Sequence, residues 1–325
     1  MIVVCGEALV DLVATSPQTY RATAGGSPAN VAVGIARLGA PVELLARLST
    51  DAMGRLLMQH LRDNGVGLSH VVRTDAPATL AVASIDDQAR ASYAFYATAT
   101  ADWQWSADEL PPLGDDVRIL HTGSLALALP PGAAVVEDLM RRAFESGHVL
   151  VSYDPNIRPA IEPDPSGLAA RVERQAAVAH VVKVSADDLA AIYPGRALVD
   201  VARELLTRGS ALVVVTLGPG GATAVSANEE VHCAAPAIDV VDTVGAGDAF
   251  TSALLVGLSR LEPAAALPHV VKTLPAQTLS ALLGNAVAAA SYTCTRPGAD
   301  PPRIGEVRSM VSLGLENSLS VSPKS

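Results

Sequence analysis

The sequence predicts an α/β protein built on a doubly wound, mostly parallel sheet, and three observations point there. Short β-branched runs alternate with Ala- and Leu-rich helical stretches along most of the 325 residues, the pattern of strands joined by crossover helices. One run, Leu212-Val213-Val214-Val215, is apolar at every position, as a strand covered on both faces must be. Half of the chain is hydrophobic but only 3% is aromatic. Ala, Val and Leu therefore build the core, which suits helices on a parallel sheet better than an aromatic-rich sandwich.

Taken in order, the strand candidates are Ile2–Val4, Arg118–His121, Val149–Tyr153, His180–Lys183, Leu212–Thr216 and Thr223–Ser226. Each is a short apolar run rich in β-branched residues. The helical candidates are Ala29–Leu38, Met53–Asn64, Ala133–Ser146, Val199–Leu206, Asp248–Leu258 and Thr278–Tyr292, where good helix formers dominate. One region breaks the rhythm. Thr79–Thr100 holds two β-rich runs around Asp86-Asp87-Gln88-Ala89-Arg90, a hairpin pattern with Tyr93, Phe95 and Tyr96 on its second arm. With Leu9–Ala14 it is expected to form a small sheet standing off the main body, serving as a lid, a dimerisation surface, or both. Residues 1–311 are expected to form one domain, with these lid strands at about 9–14 and 79–100. The tail 312–325 has little periodicity and is expected to be loosely ordered.

The bulk numbers exclude several function classes. A net charge of −10 argues against a nucleic-acid backbone as partner, which needs clustered Lys and Arg. It leaves room for an anionic ligand, since a backbone nest or a helix N-terminus holds phosphate locally. Cys5, Cys233 and Cys294 are far apart and odd in number, with no zinc or disulfide spacing, so a reducing cytoplasm fits. The start Met1-Ile2-Val3-Val4-Cys5-Gly6-Glu7 lacks a basic n-region and is not read as a signal peptide. The most apolar stretch, Leu279–Tyr292, is too short for a membrane span and contains Asn285.

The chemistry concentrates in Asp242-Thr243-Val244-Gly245-Ala246-Gly247-Asp248, which leads into a helix. Two glycines around an alanine let successive N–H groups turn toward one point at the positive end of that helix, a place for a phosphate. A carboxylate beside such a site repels the anion unless it has a task, and taking the proton of an attacking hydroxyl is one. The alternative is an ordinary tight turn with Asp248 as helix cap. A P-loop is excluded because no Lys follows the glycines. A dinucleotide fingerprint is excluded because Phe250 stands where a third small residue is needed.

The whole stretch resembles the second signature, DTxGAGD, of the ribokinase-like (PfkB) family of carbohydrate kinases. Gly25-Gly26-Ser27-Pro28-Ala29-Asn30 ahead of a helix resembles the first signature. The similarity runs from Gly6-Glu7 to Pro297-Gly298-Ala299. It implies a ribokinase-like fold with a small β-sheet lid, and an enzyme that passes the γ-phosphate of ATP to a sugar hydroxyl with Mg2+. Some members also bind a monovalent cation such as K+. Residue by residue, it implies that Asp248 is the base, that Gly245, Ala246 and Gly247 form the anion hole, and that Arg158 neutralises charge on the phosphoryl group. Asp11, Gly25, Gly26 and Asn30 would hold the sugar. A short polar residue on an otherwise apolar strand, as Asp11 is, is unfavourable without such a partner. Asp154 and Asn156, in the Asp-Pro-Asn-Ile-Arg run after a strong strand, and Tyr93 and Phe95 on the hairpin complete the sugar side. On the nucleotide side stand Thr216, Gly218, Gly220 and Gly221, with Lys183 and Asn285. The bare residues at 216–221 are also compatible with a glycine-rich turn between two strands. Asp242 matches a cation ligand. Asp188 corresponds to a glutamate of the magnesium-phosphate network, but the chain departs here: Ser185-Ala186-Asp187-Asp188 replaces the common Asn-x-x-Glu.

Within the family, Gly6–Asp11, the Ser-Pro of Gly25–Asn30 and Cys294–Ala299 resemble bacterial fructokinases, and 2-keto-3-deoxygluconate kinases share much of this. D-Fructose is the expected acceptor, because a carboxylate-bearing sugar also needs a cation, for which Arg158 and Arg90 are the candidates. A silent sugar-binding or regulatory protein on the same fold is the alternative of another class; the intact Asp248 argues against it. A homodimer through the lid sheet is the expected assembly.

Overall fold

A computed structural model describes residues 1–16, 18–85, 91–162, 167–263 and 266–307. In chain order the elements are β1 (Ile2–Cys5), β2 (Leu9–Ser16), β3 (Thr19–Gly25), α1 (Ser27–Arg37), β4 (Val42–Leu45), β5 (Arg47–Ser49), α2 (Ala52–Asp63), β6 (Val72–Thr74), β7 (Leu80–Ile85), β8 (Ala91–Tyr96) and β9 (Ile119–Gly123). They continue with α3 (Ala133–Glu145), β10 (Leu150–Asp154), α4 (Leu168–Ala176), β11 (Val181–Ser185), α5 (Ala186–Ile192), α6 (Leu198–Thr207), β12 (Leu212–Thr216), β13 (Ala222–Ser226), β14 (Glu230–Cys233), α7 (Ala246–Ser259), α8 (Leu267–Val270) and α9 (Ala276–Cys294).

Eight strands make the main sheet in the order β14-β13-β12-β11-β10-β9-β1-β4. The pairs from β12 to β4 are parallel, and the β12/β13 and β13/β14 pairs are antiparallel. The apolar run of β12 shows why the sheet is covered twice. Leu212 and Val214 join the core beneath α1, α7 and α9, while Val213 and Val215 join the core beneath α3, α4 and α6. Ile2 and Val4 divide from Val3 and Cys5 in the same way, the alternation a strand's pleat imposes.

The six expected strands and six expected helices are all present, and β12 has the expected bounds. The edge strands β4 and β14, the helices α4 and α5, and the pair β5/β6 lay outside the sequence reading.

A separate four-stranded sheet has the order β3-β2-β7-β8, so the expected Leu9–Ala14 and hairpin strands do pair, β2 with β7 in parallel. The fourth strand, β3, was not foreseen: Thr-Tyr-Arg-Ala-Thr is polar and largely exposed. The hairpin turn Asp86–Arg90 and the expected loose tail lie outside the described residues, as does the Tyr93 side chain. At the root of the small sheet a buried carboxylate gathers both strands. Asp102 accepts the Ala8 N–H (3.0 Å) and the Thr79 hydroxyl (2.6 Å). Burial, working against those hydrogen bonds, pushes its pKa up to about 6. No helix among the described residues is long and apolar enough to cross a membrane.

Candidate active site

In a doubly wound sheet, ligands bind beyond the carboxyl ends of the strands. That edge here holds a cavity of about 1110 Å³. Glu7 enters it after β1, Ser124 after β9, Asn156 and Arg158 after β10, and Lys183 from β11; the first turns of α1 and α7 close one side. The small sheet closes the other. Its register sets Thr23 opposite Asp11, Asp11 opposite Ala81, and Ala81 opposite Phe95. Directly paired residues project to the same face, and all four line the cavity. Ser124 (φ 52) and Asn156 (φ 43) both hold a left-handed backbone, a conformation disfavoured for non-glycine residues and concentrated at functional sites.

Asp248 is the third residue of α7, whose start follows Gly245. Its Oδ1 accepts the Ser27 hydroxyl (2.7 Å) and its Oδ2 accepts the Asn30 side-chain N–H (2.8 Å). Ser27 and Asn30 both belong to the first turn of α1. Two helix N-termini, each with unbonded N–H groups and the positive end of a macrodipole, therefore converge on one point. A carboxylate held there from two sides is placed to receive a proton beside an anion-binding surface.

Beneath it lies a buried ion pair. The Lys183 ammonium donates to Asp154 Oδ2 at 2.9 Å, and β10/β11 parallel pairing brings the two together. Burial by itself lowers the lysine pKa, but the charge and hydrogen bond of Asp154, with Asp188 and Asp248 farther off, leave it above its ordinary value. Burial raises Asp154 to about 6, Lys183 opposing. A Cβ on Gly247 would lie 3.2 Å from Lys183 Nζ, so the bare backbone lets the ammonium approach the N-terminus of α7. Asp154, expected on the sugar, does not line the cavity; it is 2% exposed and anchors Lys183. Its Oδ1 has no hydrogen-bond partner. Behind the pair, His121 meets the Ser152 hydroxyl at 3.1 Å. Burial, with Lys183 adding to it, drops the imidazole to about 3, so it stays neutral.

Asp11 faces the cavity from β2, its carboxyl raised to about 6 by burial, with Arg158 opposing and Asp248 reinforcing. Gly25 stands against it: a Cβ there would lie 2.1 Å from Asp11 Oδ2. Gly25 thus makes room for the carboxylate, while Gly26, Asn30, Asn156 and Phe95 line the cavity directly. Arg158 lines it too, with Nη1 donating to the carbonyls of Ile157 (3.0 Å) and Asn156 (3.3 Å). Arg90 lies outside the described residues.

The residues expected to bind metal are arranged differently from one another. Asp242 lines the cavity and ties two loops, accepting the N–H groups of Val244 (3.0 Å) and Gly298 (2.7 Å). Asp188 lies off the cavity. One oxygen accepts the Ile157 N–H (3.0 Å), which pins the loop carrying Asn156 and Arg158; the other completes a capping box with Ser185. Among the described residues no group of three His, Cys, Asp or Glu could hold a metal ion. Of the residues expected on the nucleotide side, Thr216 ends β12 and residues 217–221 form the turn of the β12/β13 hairpin, outside the cavity lining. Asn285 lies on the exposed face of α9 rather than in the core. Ala246, at the start of α7, is likewise not among the lining side chains.

Ser27, Ser124 and Glu7 are among the cavity residues that the sequence did not disclose. Ser27 and Ser124 carried no signal beyond their neighbours. Glu7, 1% exposed, stood within a quoted motif but was given no role. Burial pushes Glu7 up to about 7, opposed by hydrogen bonds from the Ser124 hydroxyl and the Ala126 N–H.

Residues 1–304 match the model of the pfkB family of carbohydrate kinases. The chain is similar to a fructokinase of Rhizobium leguminosarum bv. trifolii, 35% identical over 262 residues that cover 79% of each protein. It is similar to an aminoimidazole riboside kinase of Salmonella typhimurium, also 35% identical, over 259 residues covering 79% of this chain and 80% of that one. Among solved structures it resembles a Xylella fastidiosa fructokinase with bound ATP, with a TM-score of 0.87, 29% identity and 98% of both chains covered.

Proposed function

The chain belongs to the pfkB family of carbohydrate kinases, and on that footing we propose that it transfers the γ-phosphate of ATP to D-fructose with Asp248 as general base. The observation that carries the base is its double hold by Ser27 and Asn30 where two helix N-termini meet. The acceptor O–H gives its proton to Asp248, its oxygen bonds the γ-phosphorus, and the bridging bond to ADP breaks. Backbone N–H groups of residues 245–247, Lys183 and Arg158 meet the charge of the phosphoryl group in flight. Asp11, Gly26, Asn30 and Asn156 hold the sugar, and Phe95 gives it an apolar wall. The Thr216–Gly221 turn and Asn285 lie on the ATP side.

The choice of sugar rests on relatives and on charge. Among the described residues, six carboxylates line the cavity (Glu7, Asp11, Asp63, Asp242, Asp248, Asp300) against three cations (Arg37, Arg158, Lys183). Lys183 already serves Asp154 and Arg37 serves Asp300. That balance disfavours the carboxylate of 2-keto-3-deoxygluconate and favours a neutral sugar. Mg2+ would be held mainly by the nucleotide's phosphates, since it keeps several waters and needs few protein oxygens, and Asp188, with both oxygens on backbone N–H groups, would contribute through water. Asp242 is the candidate contact for K+. The small sheet acts as lid and dimer surface, residues 1–311 form one kinase domain, and the three free cysteines suit a reducing cytoplasm.

The test is ADP release with ATP and a panel of fructose, other hexoses, ribose, 2-keto-3-deoxygluconate and aminoimidazole riboside. Fructose is expected to give the highest kcat/KM. A tenfold preference for the keto acid or the riboside reassigns the acceptor; no turnover with any sugar removes the enzyme reading.

A further inference from the structure

Ser27 is the first residue of α1, yet its hydroxyl does nothing for that helix. Gly26 occupies the N-cap position and no side chain caps the free N–H groups. A serine at the N-cap would bond those groups; one position inside the helix, the Ser27 hydroxyl is left for another partner. Here the hydroxyl crosses to α7 and donates to Asp248 Oδ1 at 2.7 Å, a length typical of a hydroxyl on a carboxylate.

The two helices that make this contact are locked together close by. The Ser252 hydroxyl of α7 lies between the Asp248 carbonyl of its own helix (2.7 Å) and the Val31 carbonyl of α1 (3.0 Å) and shares its one proton between them, and Gly34 lets it approach: a Cβ there would lie 2.3 Å from Ser252 Oγ. Ser27 therefore sits at a fixed distance from the Asp248 backbone. A carboxylate turns freely about its terminal torsion. One donor on one oxygen leaves it a hinge, whereas separate donors on both oxygens set its plane. Asn30 supplies one of these and also faces the sugar space, so it must share its amide with the acceptor. Ser27 supplies the other.

We propose that Ser27 is a positioning residue for the catalytic base, holding the Asp248 carboxylate in the plane from which it takes the acceptor's proton. The proposal rests on the reading of Asp248 as base, and a double-mutant cycle separates the two. Steady-state kinetics with ATP and the best sugar of the panel would compare wild type, Ser27→Ala, Asp248→Asn and the double variant.

Ser27→Ala is expected to lose at least tenfold in kcat, with the sugar KM within about threefold of wild type and an unchanged melting temperature. In the Asp248→Asn background, Ser27→Ala should add less than a twofold loss, because no base remains to be oriented. The same fold-loss in both backgrounds means that Ser27 serves helix packing or sugar binding, which overturns the proposal. So does a kcat within twofold of wild type for Ser27→Ala while Asp248→Asn is crippled; the base assignment then stands without Ser27. If Asp248→Asn itself keeps more than a tenth of wild-type turnover, the base reading falls and the positioning role with it.

Discussion

Removing the Lys183 ammonium tests the buried charge pair under the proposed anion hole. Lys183→Met keeps length and apolar bulk but leaves the Asp154 carboxylate, 2% exposed, without its counter-charge. One of its oxygens already lacks a hydrogen-bond partner, and the other would lose its 2.9 Å donor. Breaking a buried pair in this way costs about 3–5 kcal/mol. At about 2 °C per kcal/mol for a chain of this size, the melting temperature should fall by about 6–10 °C. Asp154→Asn added to Lys183→Met removes the stranded charge and should recover at least half of that loss. Activity should not return, because the cation meeting the phosphoryl group is gone; kcat stays down by about 10²–10³-fold in both variants. Scanning calorimetry and steady-state kinetics on the two proteins read both effects. A single variant melting within 2 °C of wild type, or a double variant no more stable than the single, would refute the reasoning.

Two further outcomes follow from the cavity. Glu7 has its pKa raised from 4.5 to about 7 by burial, so the folded state holds its proton more tightly than the unfolded one. Its contribution is complete below pH 4.5 and is lost as pH rises through 7, a total of about 3 kcal/mol. Glu7→Gln should therefore gain stability over wild type between pH 5 and pH 8, measured by urea unfolding at both; parallel pH curves count against it. Gly25→Ala sets a Cβ 2.1 Å from Asp11 Oδ2 and should raise the sugar KM at least tenfold while the ATP KM stays within twofold. Initial rates decide, and an unchanged sugar KM would take Asp11 off the sugar.

What the sequence disclosed depended on how local the signal was. β12 was readable to the residue because four consecutive apolar side chains need cover on both faces, and the Asp242–Asp248 signature was readable because its glycines and its helix are adjacent. β3 hid because an exposed strand of Thr, Tyr and Arg has no apolar period. Asp154 and Lys183 lie 29 residues apart in the chain and meet only through the β10/β11 register. Nothing local marks the first as an anchor for the second. Asp188 shows the reverse: its resemblance to the family's Asn-x-x-Glu implied a metal role, while the folded chain gives it a capping box and the Ile157 N–H. Ser27 was passed over inside a quoted motif, since a serine at a helix start has an ordinary explanation, and only the packing of α1 on α7 displaces it.

Turnover of the Asp248→Asn variant tests the central claim most directly. Asn keeps the shape and can still meet Ser27 and Asn30, but it cannot take the acceptor's proton. Fructose-dependent ADP release should fall by about 10²–10⁴-fold, with fructose binding retained by calorimetric titration. Turnover above a tenth of wild type with the same fructose affinity would contradict Asp248 as the base.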